Sequence, residues 1–220
     1  MAIDDQEEYE QGERVRNWLR NNGGSVIGGI AVGLSLIAGW NWWQHKQQLA
    51  GEKASDAYVE VAKAIDAGGD EKRIAVLVKG IGANYPKTPY ATLSVLRLAA
   101  HQVDVGDAKG ALATLEAMPA PSEAALATLA RLREGRLLLV LGHPADALKR
   151  IDAIHDDAWV SVADEIRGDA EHALGHDDVA RTHYANALLK LPEEAPNRQL
   201  LEMKLTEVGG QAAKPEDKKA

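Results

Sequence analysis

The sequence predicts an all-α protein: a single N-terminal transmembrane helix followed by an α-solenoid of helical hairpins. Three observations carry that reading. Residues 23–43 form an apolar stretch, and no Asp, Glu, Lys or Arg occurs between Arg20 and Lys46. Beyond it, apolar residues recur with a helical period, and strand-forming runs bounded by turns are missing. A glycine–alanine pattern then returns three times, with its glycines 36 and 33 residues apart.

The apolar stretch, GGSVIGGIAVGLSLIAGWNWW, sets the first element. At ~1.5 Å per residue it spans about 31 Å, close to the ~30 Å hydrocarbon core of a bilayer. Trp40, Trp42 and Trp43 close it and Trp18 precedes it, the placement expected of interfacial anchors in contact with membrane lipid. Arg14, Arg16 and Arg20 stand before it, against Lys46 and Lys53 after it, which places the N-terminus in the cytoplasm. The acidic residues of the N-terminal segment contribute little to that rule. A cleaved signal peptide is the rival. The stretch exceeds the ~7–15 residues of a usual signal core, and tryptophans stand where small cleavage-site residues would be. The expected organisation is a cytoplasmic segment over 1–22, a span over 23–43, a repeat domain outside the cytoplasm over 44–208, and a disordered tail over 209–220. Ser25, Gly29 and Gly33 recur every fourth residue, and Gly24 and Gly28 make a second pair. Small residues at this spacing admit the close approach of another helix.

Composition narrows the function. Cysteine is absent, which excludes disulfides, zinc–thiolate sites and a cysteine nucleophile. The net charge is −8. Six acids against three arginines put −3 of it in residues 1–22, and −5 lies beyond. An acidic balance with no basic stripe argues against a nucleic-acid partner.

The elements follow in order. Residues 1–12 are acidic and polar, and disorder is expected. Glu13 to Asn22 suits a short amphipathic helix. Gln44 to Ala67 reads as one helix with an apolar stripe from Leu49 through Val61 to Ile65, stopped by Gly68-Gly69-Asp70. Glu71 to Ala83 is a second helix, ended by Tyr85-Pro86.

From Thr88 the repeat takes over. Gly106, Gly142 and Gly175 each stop a helix, and Ala111, Ala147 and Ala180 follow five residues later. Twelve residues before each alanine stands Ala99, Gly135 or Gly168. Four after it comes Leu115, Ile151 or Tyr184. This pattern resembles the tetratricopeptide repeat, in which small residues let helix A and helix B of one unit pack closely. A degenerate unit precedes the three at 49–86. Each alanine is expected to face the small residue of its own A helix. Thr88–Gly106 and Ser122–Gly142 would be A helices lining a groove for peptides or proteins. Ser122 suits an N-cap, Pro144 a first helical turn, and Asn197 to Val208 a terminal capping helix.

Chemistry has few candidates. His172 and His176 have ligand-like spacing, but Gly175 between them puts them on different helix faces, so no metal site is expected even with Asp169 or Asp177 nearby. No Gly-x-Ser-x-Gly, P-loop or His-Glu-x-x-His occurs. Trp159 reads as core packing. Neither catalytic residues nor a cofactor is expected.

Taken together, several features resemble the YfgM family of ancillary SecYEG translocon subunits. They are the acidic N-terminus, Arg16-Asn17-Trp18-Leu19-Arg20, Gly39-Trp40 with Trp43, Ala54-Ser55 with Tyr58, Ala158-Trp159, Ala163-Asp164 and Arg167-Gly168-Asp169. The resemblance implies a single-pass protein of the bacterial inner membrane with a periplasmic repeat domain. It also implies association with SecYEG, with a membrane-anchored periplasmic chaperone of the PpiD type, and with exported client proteins. Two functions stay open: a chaperone-like adaptor at the translocon exit, or a membrane-tethered structural scaffold that never meets clients. An exposed apolar patch in the groove would favour the first.

Overall fold

A computed structural model describes residues 4–121 and 123–211. Among them the secondary structure is entirely helical, in nine helices: α1 (Asp4–Asp66), α2 (Glu71–Asn84), α3 (Pro89–Asp104), α4 (Ala108–Glu116), α5 (Ala124–Val140), α6 (Pro144–Ile151), α7 (Val160–Ala173), α8 (Asp177–Lys190) and α9 (Arg198–Glu207). Internal contacts divide the chain into two units, Met1–Glu52 and Lys53–Ala220.

The first unit belongs to α1, which runs unbroken for 63 residues. This corrects the expectation of disorder over 1–12 and of a separate short helix over 13–22: helix begins at Asp4. No proline interrupts Asp4–Asp66, and Glu, Gln and Arg are good helix formers. Once a helix is nucleated, each further residue adds a hydrogen bond at little cost. Residues 1–3 lie outside the described residues. Ile27, Ile30, Leu34, Leu36 and Ile37 are exposed. Among the described residues this is the one helix long and apolar enough to cross a membrane. Exposure of these five side chains is what lipid-facing positions require.

In the second unit, hairpins stack. Val61 at the end of α1 shares a core with Ile74, Val78 and Ile81 of α2 and Leu98 of α3. Leu96 and Ala99 of α3, Ala111 and Leu115 of α4, and Ala130 and Leu137 of α5 form the next. Leu132, Ile151, Ala163 and Ile166 join α5, α6 and α7, and Ala180, Tyr184, Leu201, Leu205 and Val208 join α8 to the final turn. Clusters reach beyond one hairpin into the next helix, so each unit is stabilised by its neighbour.

The turns explain the glycine spacing. Gly68, Gly106, Gly142, Gly175 and Gly209 all have positive φ, between 65° and 87°. At each, the residue after the glycine donates its backbone N–H to a carbonyl five residues back: Gly69 to Ala64, Asp107 to Gln102, His143 to Leu138, His176 to Glu171 and Gly210 to Leu205. This closure needs a left-handed residue, which glycine supplies without a steric penalty. Asp70 and Asp107 then cap α2 and α4 by accepting from the backbone N–H of Arg73 and Gly110.

Pro144 opens α6, as the sequence suggests. Glu123 holds the N-cap position of α5; the cap assigned to Ser122 lies outside the described residues. Asn197 and Val208 bound α9. Of the tail, 212–220 lies outside the described residues, and Gly210 still donates to Leu205.

Candidate functional site

Each sequence-marked residue has a definite place. Gly24, Gly28, Gly29 and Gly33 have open space where a Cβ would stand, so that face of α1 is uncovered. Ser25 is exposed on the same helix. Trp18, Trp40, Trp42 and Trp43 are exposed. Trp40 and Trp43 lie with ring centroids 5.3 Å apart, and the Lys46 ammonium stands 5.4 Å from the Trp42 ring. Trp159 occupies the N-cap of α7 and packs partly buried against the cluster of Leu132, Ile151 and Ile166.

Ala99, Ala111, Gly135, Ala147, Gly168 and Ala180 are all buried. Ala99 and Ala111 share one core cluster, whereas at Gly135 and Gly168 the nearest side chain is not the expected alanine. A Cβ on Gly135 would meet Ile151 Cγ2 at 2.9 Å, with the Ala147 carbonyl oxygen farther away at 4.0 Å. On Gly168 it would overlap the ring of Tyr184. At these two seams the small residue of helix A accommodates the large side chain four positions beyond the alanine. Ala147 clusters instead with Leu138 and Ala170, reaching the following unit.

The A helices α3, α5 and α7 touch in succession. Between α3 and α5 opens a cleft of about 270 Å³, lined by Ala99, Ala100, Val103, Leu115, Leu137 and Val140, with Asp104, Arg133 and Arg136 at its polar margin. Val103 and Val140 are exposed. Arg133 Nη1 donates to the Leu96 carbonyl at 2.9 Å. Burial, and then the nearby charge of Arg136, holds the Arg133 guanidinium below its usual pKa. Sequence inspection missed these two arginines. Their three-residue spacing puts them on neighbouring positions of one helix face, a signal that gains meaning only once α3 is alongside.

Further along, a polar network joins α5, α7, α8 and α9. Lys204 Nζ donates to Glu165 and Asp169, both at 2.8 Å, and Tyr184 donates its hydroxyl to Asp169 at 2.8 Å. Burial alone would lower the Lys204 pKa; hydrogen bonds to the two carboxylates outweigh it and the net shift is upward. Burial, followed by the Asp169 carboxylate, raises the Tyr184 phenol. Arg136 reaches Glu165 at 3.5 Å. This network occupies its own charges and reads as a seal between α7 and the capping helix.

The two histidines are held apart. His172 Nδ1 lies 2.7 Å from Asp177, and His176 Nδ1 lies 2.7 Å from Glu171. These pairs cross-tie the ends of α7 and α8. Among the described residues, no group of His, Asp and Glu converges as a metal site would.

Residues 16–210 match the family described as "Tetratricopeptide repeat-like domain". Three relatives are each named "Ancillary SecYEG translocon subunit". That of Escherichia coli (strain K12) is 28% identical over 176 residues, 80% of this chain and 84% of its own. That of Aggregatibacter actinomycetemcomitans is 27% identical, covering 82% and 88%. That of Haemophilus influenzae is 24% identical, covering 82% and 88%. These matches bear out the likeness to the YfgM family read from the sequence. No solved structure matches significantly.

Proposed function

The chain belongs to the tetratricopeptide repeat-like domain family, and from that premise we propose that it is an ancillary adaptor of the Sec translocon. It binds other proteins rather than transforming a substrate. The reading rests on the match, over about four-fifths of the chain, to three proteins named for a place in that translocon.

In this reading residues 1–22 are cytoplasmic, residues 23–43 span the inner membrane, and residues 44–208 form a periplasmic repeat domain followed by the tail 209–220. The arginines before the span set the orientation. The uncovered face of Gly24, Gly28, Gly29 and Gly33 offers the membrane part of SecYEG a close helix contact. The A-helix face offers its cleft to a periplasmic chaperone of the PpiD type or to exported chains. That open apolar cleft favours an adaptor over a scaffold that never meets clients, because a purely structural tether has no need of unfilled apolar surface.

The test is photo-crosslinking in living cells from probes at Gly29, Gly33 and Val140. Adducts to translocon subunits from α1, and to a periplasmic chaperone or exported chains from Val140, are expected. A chain that crosslinks to neither, or a reporter enzyme fused after Val208 that is active only in the cytoplasm, would overturn the reading.

A further inference from the structure

We propose that the outward face of α9 receives the outward face of α2 from a second copy of this chain. The open end of one repeat domain is thereby completed by the first hairpin of the next molecule. The inference goes beyond the adaptor reading and needs no other protein.

Register shows what α9 lacks. Gly209 follows Gly175 by 34 residues, has the same positive φ, and ends its helix with the same backbone bond, Gly210 to Leu205. Helix α9 therefore stands where α3, α5 and α7 stand in their units. In those units the residue seven before the glycine is Ala99, Gly135 or Gly168, and each is buried. A B helix follows to cover it. In α9 the same register falls on Glu202, and among the described residues no further helix follows. Leu201, Leu205 and Val208 pack inward with α8. Away from them runs an open hollow lined by Gln199, Leu200, Glu202, Met203, Thr206 and Glu207. Leu200 is 52% and Met203 63% exposed, whereas a helix that only capped the solenoid would present a polar outer face.

Helix α2 supplies a matching face. Its Ile74, Val78 and Ile81 enter the chain's own core. Lys72, Val76, Lys79 and Ala83 share the opposite stripe by their spacing, and all four are exposed. Val76 is 70% exposed, and Gly80 beside it has open space where a Cβ would stand. Glu71 is the one acid of α2, and it accepts from Gln102 at 2.7 Å. Among the described residues no ion pair engages Lys72, Arg73 or Lys79.

Charge selects the pairing. On α9, Lys204 is spent on Glu165 and Asp169. Arg198 is spent on the Leu188 and Leu191 carbonyls and on one oxygen of Glu202. The second Glu202 oxygen and the exposed Glu207 remain for the lysines of α2, while Val76 meets Leu200 and Met203. Ten residues of α9 make a strip about 15 Å by 10 Å, far below the ~800 Å² per partner of a stable interface. The contact is therefore weak between dilute chains and is favoured when α1 confines copies to one bilayer. It joins unlike surfaces, so each added copy leaves one of each face free.

The chain has no cysteine, so introduced thiols report without background. Full chains carrying Val76→Cys or Met203→Cys, distinguished by tags, are reconstituted together in liposomes and oxidised with copper phenanthroline. The mixture should give a disulfide-linked heterodimer, each variant alone should give almost none, and a chain with both substitutions should give a ladder beyond dimer. Glu207→Lys in the Met203→Cys chain should lower the heterodimer yield severalfold. Adding Lys79→Glu to the Val76→Cys chain should restore it. Both cysteine positions are exposed, so melting curves should show the variants folded. No heterodimer although both thiols react with maleimide, or a yield indifferent to the charge changes, would overturn the inference. A Val76→Cys chain that links to itself as well as to the mixture would place two α2 helices together and also overturn it. So would a Met203→Cys thiol shielded from maleimide in dilute detergent, since the chain's own segment 212–220 would then hold the face. The assay contains no translocon, so its failure leaves the adaptor reading standing, and that reading fails only on its own crosslinks.

Discussion

Gly168 of α7 lies so close to the ring of Tyr184 on α8 that a single added methyl would overlap it. Gly168→Ala should therefore destabilise, although alanine favours a helix interior by about 1 kcal/mol over glycine. Overpacking costs ~1–3 kcal/mol, and here the neighbour is a ring fixed by its hydroxyl on Asp169. Thermal unfolding of the full chain should show a net loss of about 1–2 kcal/mol. Gly82→Ala in α2, with open space at its Cβ, should be neutral or stabilising. If Gly168→Ala melts like the wild type, the contact is not fixed.

Ala147 and Ala145 form a second comparison. Ala147 is fully buried while Ala145, half a turn earlier, is exposed. Ala147→Leu should cost ~1–3 kcal/mol and Ala145→Leu less than about 0.5 kcal/mol. Because Ala147 packs on Leu138 and Ala170, hydrogen exchange should quicken in α5 and α7 as well as in α6. Equal tolerance at the two positions would mean the α6 register is wrong.

The α7–α8 junction should weaken as pH rises. The Asp177 carboxylate raises the His172 pKa above the ordinary 6.5, with Glu207 and Asp169 adding smaller pulls against a modest opposing effect of burial. A folded-state pKa above the unfolded one stabilises fully below the unfolded value, and the contribution is lost as pH climbs through the folded value. Amide exchange at Leu174–His176, corrected for the intrinsic pH dependence of exchange, should show less protection at pH 8 than at pH 6. His172→Gln should flatten that difference. A difference that persists in the variant would assign it to another group.

In the membrane, Gly29→Leu combined with Gly33→Leu should reduce co-purification with the translocon severalfold while leaving insertion unchanged. The expectation follows from an uncovered small-residue face and the close packing such faces permit. Undiminished co-purification would move the association to the repeat domain.

The repeats could be read from the sequence because glycine does a job at their turns that other residues do poorly. Gly106, Gly142 and Gly175 mark left-handed backbone, a requirement visible in a single letter. The seams were less legible. The alanines were expected opposite Ala99, Gly135 and Gly168, yet Ile151 and Tyr184 stand nearest to the last two. Helical side chains lean toward the preceding turn, so a large residue four positions on can cover the spot that spacing assigns to the alanine. The unbroken run of α1 was missed for a different reason. Its charged N-terminal residues resemble those of a disordered segment in composition, and composition does not record the helix they extend. Arg133 and Arg136 were passed over because a cleft belongs to two helices at once.

Arginine side chains tie this domain together through backbone oxygens. Arg133 donates to Leu96, Arg167 to Ile151 and Ile154, Arg181 to Val208, and Arg198 to Leu188 and Leu191. Every residue type brings a carbonyl, so the accepting positions can change identity over generations without losing the tie, provided the replacement still packs. Sequence drift is therefore cheap on the accepting side and costly on the donating side. In a deep mutational scan, acceptor positions should tolerate apolar exchange, and the four arginines should resist even lysine, which lacks the forked donors.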